Sequence, residues 1–342
     1  MKKKPVYGVD AVSTTLRSRV LEELKSEVPE GDVKSFFSRD GRFALLSDAA
    51  DASDFSNEVY VEFSNSWPLR SPLEIYVGRR RVVAGTWRTD VWADGKKLDA
   101  TSSWQTLCEE IDGDGAFVER LLPLTGGRAL SRRLFVAFQE KLFLNVDVLY
   151  GSDAERSALE RGADKSAPLL KIRSLFPLDS TETLATQPNA TKEITLSETT
   201  LDAPPFARFF PLSATERPVD ATSGTFVFKT SYGGVLETSA RRRGGSLCVA
   251  TLLDWNANRA TRPVNLGIAT VGENLQAVDD GRAVGRQIQL GRERYILYVS
   301  TSRRPAIRSI LSRNLLSDFM FGKFFVGRGV EPLVDVEIPE DF

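Results

Sequence analysis

The stretch Arg133-Leu134-Phe135-Val136-Ala137-Phe138-Gln139-Glu140-Lys141-Leu142-Phe143-Leu144-Asn145-Val146-Asp147-Val148-Leu149 decides the fold. Leu134, Val136 and Phe138 recur with period two, the spacing at which strand side chains share one face. Leu142, Leu144, Val146 and Val148 repeat the pattern after Glu140-Lys141, which marks a tight turn. The stretch therefore reads as a β-hairpin. Its opposite faces carry Phe135, Ala137, Phe143 and Leu149, so both sides are partly apolar. Strands apolar on both sides belong in the middle of a layered structure.

The same alternation extends outward. Val59, Val61 and Phe63 share a face, and a second hairpin is expected over 287–300, where Ile288 and Leu290 lead into Gly291-Arg292-Glu293 and Tyr295, Leu297 and Val299 return. Further strands are expected at 73–77, 81–84, 225–229, 247–253 and 333–338. Ala93-Asp94-Gly95-Lys96, Thr125-Gly126-Gly127, Tyr232-Gly233-Gly234 and Asp280-Gly281 supply turns. Helix is scarce. Val12, Leu16, Val20, Leu21 and Leu24 follow helical spacing until Pro29-Glu30-Gly31. Ser152-Asp153-Ala154-Glu155 is a capping box, with Gly162 as a C-terminal stop. A third helix is expected over 306–319.

These elements predict a mainly β chain: a large antiparallel β-sandwich of the supersandwich type, with a short N-terminal helix and one or two short connecting helices. Residues 1–50 form a helical or irregular segment and 51–342 the sandwich. The Thr-, Ser- and Asn-rich stretch 179–205, with Gln187-Pro188-Asn189 and Pro204-Pro205, reads as a loop-rich seam.

Composition narrows the chemistry. The 342 residues include no histidine, which removes Ser-His-Asp, Cys-His and His-based metal chemistry. Lys plus Arg is 45 and Asp plus Glu is 46, a net charge of -1 that gives no global attraction for nucleic acid or anionic lipid. Cys108 and Cys248 form no CxxC pair and sit in apolar, strand-like surroundings, so both are expected as buried free thiols of a reducing compartment. Met1-Lys2-Lys3-Lys4-Pro5 is basic, but no apolar signal core follows, and no stretch is apolar enough to span a bilayer. The expectation is a cytoplasmic protein with no nucleic-acid or membrane partner and no cofactor.

A family pattern follows. Pro72-Leu73-Glu74-Ile75-Tyr76-Val77-Gly78 is succeeded by Ala84-Gly85-Thr86-Trp87 and Val91-Trp92-Ala93-Asp94-Gly95. Residues 104–114 and 119–127 come next, and Leu130-Ser131-Arg132-Arg133 runs into the hairpin, which closes on Asp147-Val148-Leu149-Tyr150-Gly151. This order is similar to the β-sandwich domain that closes heparinase II/III-type polysaccharide lyases. It resembles still more closely uncharacterised bacterial proteins of planctomycete type built around that domain. Asn314-Leu315-Leu316-Ser317-Asp318-Phe319, Gly327 and Val330-Glu331-Pro332-Leu333 fit the same set. The resemblance implies a sandwich and a carbohydrate context. In the lyases an α-helical toroid supplies much of the active site, including Tyr, Asn and His. No long helical region precedes Val59 here and no position matches a catalytic motif, so no catalytic residue is carried over.

Several clusters are candidates for contact with a ligand. Trp67, Trp87, Trp92 and Trp104 are four of five tryptophans, and their rings suit sugar faces as well as a sandwich core. Arg79, Arg81, Arg241 and Arg243 stand in basic runs that suit sulfate, phosphate or uronate, or simply solvated strand ends. Asp112-Gly113-Asp114-Gly115 has the look of a calcium loop but lacks the remaining ligands, and no metal is expected. Glu109, Glu110, Asp112, Asp114 and Glu119 include carboxylates that at the right separation run glycoside hydrolysis. Tyr76, Tyr150, Tyr232, Tyr295 and Tyr298 raise lyase chemistry, a Tyr base beside an Arg, but most lie in expected strands, where packing explains them.

The sequence favours a non-catalytic module whose concave sheet face holds a polysaccharide or a protein partner. Two alternatives stay open: a polysaccharide lyase or other carbohydrate-active enzyme working without histidine, and a structural or assembly protein.

Overall fold

The computed structural model describes residues 16, 18, 36–39, 42–47, 57–78, 80–111, 115–160, 167–179, 184–188, 193–198, 203–212, 223–229, 234–302, 304 and 306–337. Four antiparallel sheets make up almost all of it. The hairpin strands Arg128–Ala137 and Leu142–Tyr150 pair from Ala137↔Leu142 to Ala129↔Tyr150, and Lys141, at φ 56°, turns the chain between them. They sit inside an eight-stranded second sheet, ordered Leu184–Pro188, Ile194–Glu198, Ala207–Pro211, Ser246–Asp254, Leu142–Tyr150, Arg128–Ala137, Gly115–Leu124, Gln105–Ile111.

Every residue of Leu142–Tyr150 and of Ser246–Asp254 is buried, as two-sided apolarity requires. Leu134, Val136, Phe143 and Leu149 join one core with Val61, Trp87, Ile172 and Leu236 of the first sheet. Phe135, Leu144, Val146 and Val148 join a second core with Ile288, Leu297 and Phe321 of the third. The third sheet, ordered Val264–Ile268, Ala283–Leu290, Glu293–Ser300, Ser317–Phe325, Gly329–Glu337, buries Ile296, Tyr298 and Met320 against the small fourth sheet. The sandwich is thus a stack of layers, with the predicted hairpin at its centre.

The first sheet runs Phe36–Arg39, Arg42–Ser47, Asn57–Glu62, Arg70–Val77, Arg80–Ala93, Leu169–Pro177, Val235–Arg243, Ser223–Lys229, with Lys96–Lys97 folded back on Arg80–Ala93. Two of these strands lie within residues 1–50, so the sheet continues into the segment expected to be helical or irregular. Of that segment's expected helix, the described residues are Leu16 and Ser18. Both are helical, and buried Leu16 donates its N–H to Glu74 Oε1 at 3.2 Å. The capping box is present: Ser152 N–H donates to Glu155 Oε2 at 2.8 Å, opening the helix Asp153–Glu160. Gly162 lies outside the described residues. Within 179–205, the strands Leu184–Pro188 and Ile194–Glu198 extend the second sheet's edge, so part of the expected seam is sheet.

The helix expected over 306–319 is absent. Arg308–Ile310, Arg313–Leu315 and the start of Ser317–Phe325 occupy that stretch, because Leu311 and Ser312 take φ of 46° and 65° and turn the chain back. The apolar spacing there reflects a tight turn between short strands rather than a helical face.

Candidate functional site

The strand Arg80–Ala93 sorts its side chains by parity. Trp87, Thr89 and Val91 point into the core, while Arg88, Asp90 and Trp92 share the outer face. Asp94 and Gly95, at φ 47° and 76°, form a tight reversal that brings Lys97 opposite Trp92. On the other side Trp92 faces Lys171, which in turn faces Arg241. One row across four neighbouring strands therefore reads Lys97, Trp92, Lys171, Arg241, about 15 Å long at the usual strand spacing. Lys171 and Arg241 are exposed and Trp92 is half-buried. The Lys171 ammonium lies 4.9 Å and the Arg173 guanidinium 5.4 Å from the centre of the Trp92 ring.

Asp90 anchors the row from behind. It accepts from Arg88 Nη2 at 2.9 Å, Arg173 Nη2 at 2.6 Å and Lys97 Nζ at 3.0 Å. Burial raises the Asp90 carboxyl, but hydrogen bonds from Arg173, Lys97 and Arg88 outweigh it and hold the group below its ordinary value. Three cations share this one carboxylate, so the face keeps a positive excess, and exposed Arg243 flanks it with Nη1 on the Ala167 carbonyl at 3.0 Å. The surface presents an indole edged by forked and point cations, an arrangement that suits sulfate or carboxylate groups on a sugar.

The other predicted residues are placed elsewhere. Trp87 is fully buried, with its indole N–H on Ser174 Oγ at 2.7 Å. Trp104 is buried and donates to the Pro68 carbonyl at 2.7 Å. Both rings serve the core, so the four tryptophans do not form one platform; Trp67 is 68% exposed. Arg81 is tied to Asp179 at 2.9 Å, away from the row. Arg79 and the loop residues Asp112, Gly113 and Asp114 lie outside the described residues. The sequence does not single out Lys171 and Arg173, which the register of a distant strand brings to Trp92, nor Lys97, which the reversal at Asp94 and Gly95 brings there.

Glu119 and Tyr295, two of the residues weighed for catalysis, are buried. Glu119 is buried, 2.9 Å from Arg133 Nε, and accepts from Ser131 at 2.7 Å. Tyr295 has the Tyr–Arg pairing that lyase chemistry needs, with Arg259 Nη1 2.8 Å from its hydroxyl. Burial nevertheless pushes that hydroxyl far above its ordinary value; Arg259 opposes the shift, and Glu140 and Glu293 add to it. Tyr295 is fully buried and offers no surface to a substrate. Cys108 is half-buried rather than buried, and burial together with Glu110 pushes its thiol up to about 12. Among the described residues no three Cys, Asp or Glu side chains are grouped to hold a metal ion.

Stacked antiparallel sheets of this order define a large β-sandwich, and solved structures share it. The heparan sulfate lyase HepC from Pedobacter heparinus superposes with a TM-score of 0.52 at 10% identity, covering 84% of this chain and 47% of the lyase. A mutant of that lyase gives a TM-score of 0.52 at 9% identity, over 84% of this chain and 48% of the other. At such identity the likeness is one of fold, and this chain spans about half the length of those proteins. Its sequence matches no family model and no curated protein.

Proposed function

We propose that this chain is a non-catalytic module that holds an acidic polysaccharide against the outer face of its first sheet. The observation that carries the reading is the row Lys97, Trp92, Lys171, Arg241, backed by Arg173 and braced by Asp90. Cations at strand spacing meet repeated anionic groups, and the indole offers an apolar surface between them. The shared fold with a heparan sulfate lyase is consistent with a carbohydrate context. The burial of Tyr295 and of the Arg-bound Glu119 favours binding over bond cleavage.

Calorimetry with heparan sulfate and with neutral dextran tests this reading, alongside ultraviolet absorbance for unsaturated products. The expected result is saturable heparan sulfate binding that weakens with salt, no dextran binding and no new absorbance. Equal binding of both polymers, or of neither, refutes it, and unsaturated products refute its non-catalytic part.

A further inference from the structure

The cations on the outer face of the first sheet extend beyond the row through Trp92. Arg70 lies opposite Arg88, and it has the same outward parity because Leu73, Ile75 and Val77 of its strand turn into the core. Two residues further along Arg80–Ala93, Arg173 lies opposite Asp90. Two further again, Lys171 and Arg241 share the Trp92 row, and Arg243 follows beyond them, opposite Leu169. Arg70, Arg88, Arg173, Lys171, Arg241 and Arg243 thus form a staircase across four neighbouring strands. Three strand spacings and six residues of rise make it about 25 Å long, in steps of about 5–8 Å.

We propose that an anionic polysaccharide chain runs obliquely along this staircase, from Arg70 to Arg243, and crosses the Trp92 row at Lys171 and Arg241. The proposal rests on the reading of this face as a polysaccharide surface. It adds the chain's course and form: a linear polymer with anionic groups along its length, held at full affinity only when it spans both ends. Arg70, Lys171, Arg241 and Arg243 are exposed, and Arg88 and Arg173 are half-buried. Of the acids in these four strands, Glu74 and Asp90 are buried and Glu237 is half-buried.

The placement of the acids sets the direction. Glu237 and Arg88 both face Leu175, so a chain laid along the Arg88 row runs into Glu237. A chain laid along Arg80–Ala93 runs into Asp94 at the strand's end, where that carboxylate accepts the Leu169 N–H at 2.8 Å. The diagonal misses both acids. The Trp92 row also misses them, but it offers only Lys97, Lys171 and Arg241, against six cations on the diagonal. Asp90 orients two of the six, accepting from Arg88 at 2.9 Å and from Arg173 at 2.6 Å, and each guanidinium has further N–H groups for a ligand. Each exposed contact is weak alone, so affinity comes from engaging many of them with one linked chain.

Calorimetry on the full chain tests this with heparan sulfate polymer and a sulfated heparan disaccharide. The disaccharide reaches only two or three of the cations and should bind at least about tenfold more weakly than the polymer. Arg70→Glu/Arg243→Glu reverses both ends and leaves the Trp92 row intact; it should weaken polymer binding by about tenfold or more with the melting temperature retained. Each single variant should weaken it by about threefold, which keeps the test decisive if the double variant misfolds. Arg328→Glu, an exposed charge reversal on the turn between Ser317–Phe325 and Gly329–Glu337, should leave affinity unchanged. Unchanged polymer affinity in the folded end variants, an equal loss with Arg328→Glu, or a disaccharide as tight as the polymer overturns the diagonal. The two readings fail separately. Binding lost in Lys171→Glu/Arg241→Glu but kept in the end variants contradicts the diagonal and keeps the face, whereas no polymer binding to wild type refutes both.

Discussion

The guanidinium carbon of Arg132 lies 3.4 Å from the centre of the Trp87 ring, stacking a cation of the second sheet on an indole of the first. Arg132 also holds Asp147 with two bonds, Nε to Oδ1 at 2.8 Å and Nη2 to Oδ2 at 3.0 Å, and donates to Thr89. Its neighbour Arg133 points the other way, pairing with Glu119 and with Asp318 of the third sheet. Consecutive arginines of one central strand thus fasten both adjoining layers. These charges are buried, so each depends on its partner.

Asp147→Ala strips Arg132 of its countercharge inside the core. It should cost about 3–5 kcal/mol in urea unfolding. The double variant Arg132→Met with Asp147→Leu should cost clearly less. An Asp147→Ala cost no larger than that of the double variant contradicts the assignment.

The Asp90 carboxyl titrates below its unfolded value, so its contribution to stability is present above about pH 4 and lost as pH falls through the lower folded value. Glu293 is shifted in the same direction; burial opposes the shift and hydrogen bonds from Lys323 and Arg259 outweigh it. Asp90→Asn should be less stable than wild type at neutral pH and lose stability less steeply on acidification. Parallel stability–pH curves for the two proteins would count against the triple pairing of Asp90.

Burial pushes both the Cys108 and Cys248 thiols up to about 12. Neither offers appreciable thiolate at pH 8, at about four units below those values. Alkylation of the native protein by iodoacetamide should therefore run at least about tenfold slower than alkylation of the urea-unfolded chain. Equal rates for Cys108 in the two states, resolved by peptide mapping, contradict its environment.

Asn274 and Leu275 both take positive φ, at 50° and 63°, in the turn that joins Val271–Glu273 to Gln276–Ala277, and Leu275 is fully exposed. A leucine pays about 1–2 kcal/mol for this conformation and gains no packing here. Leu275→Gly creates the Asn-Gly pair that the turn favours and should stabilise by about 1 kcal/mol in urea unfolding. Destabilisation would mean that the leucine makes a contact the turn geometry does not reveal.

The central layer was legible because Leu134, Phe135, Val136 and Ala137 leave no polar side for solvent. That reading implied a sheet covered on both faces, and the cores on either side of Leu142–Tyr150 bear it out. The tryptophans were harder. Trp87 and Trp92 lie five residues apart on one strand, so period-two geometry sends one inward and the other outward. The strand was expected only over 81–84, too short to include either ring. The pairing of Trp92 with Lys171 and Arg241 depends on register between segments far apart in sequence, which local patterns do not encode. Nothing local to Arg132 and Arg133 signals that Asp147 and Glu119 neutralise them. The expected helix over 306–319 failed for a related reason: leucine in a left-handed turn at 311 has no compositional signature.

The most direct measurement is calorimetric titration of heparan sulfate into wild type and the Lys171→Glu/Arg241→Glu variant. Both side chains are exposed, so the fold and melting temperature should be retained. The account predicts that affinity drops by about tenfold or more, because two attractive charges of the row become repulsive. Unchanged affinity in a folded variant would show that the polysaccharide does not rest on this face.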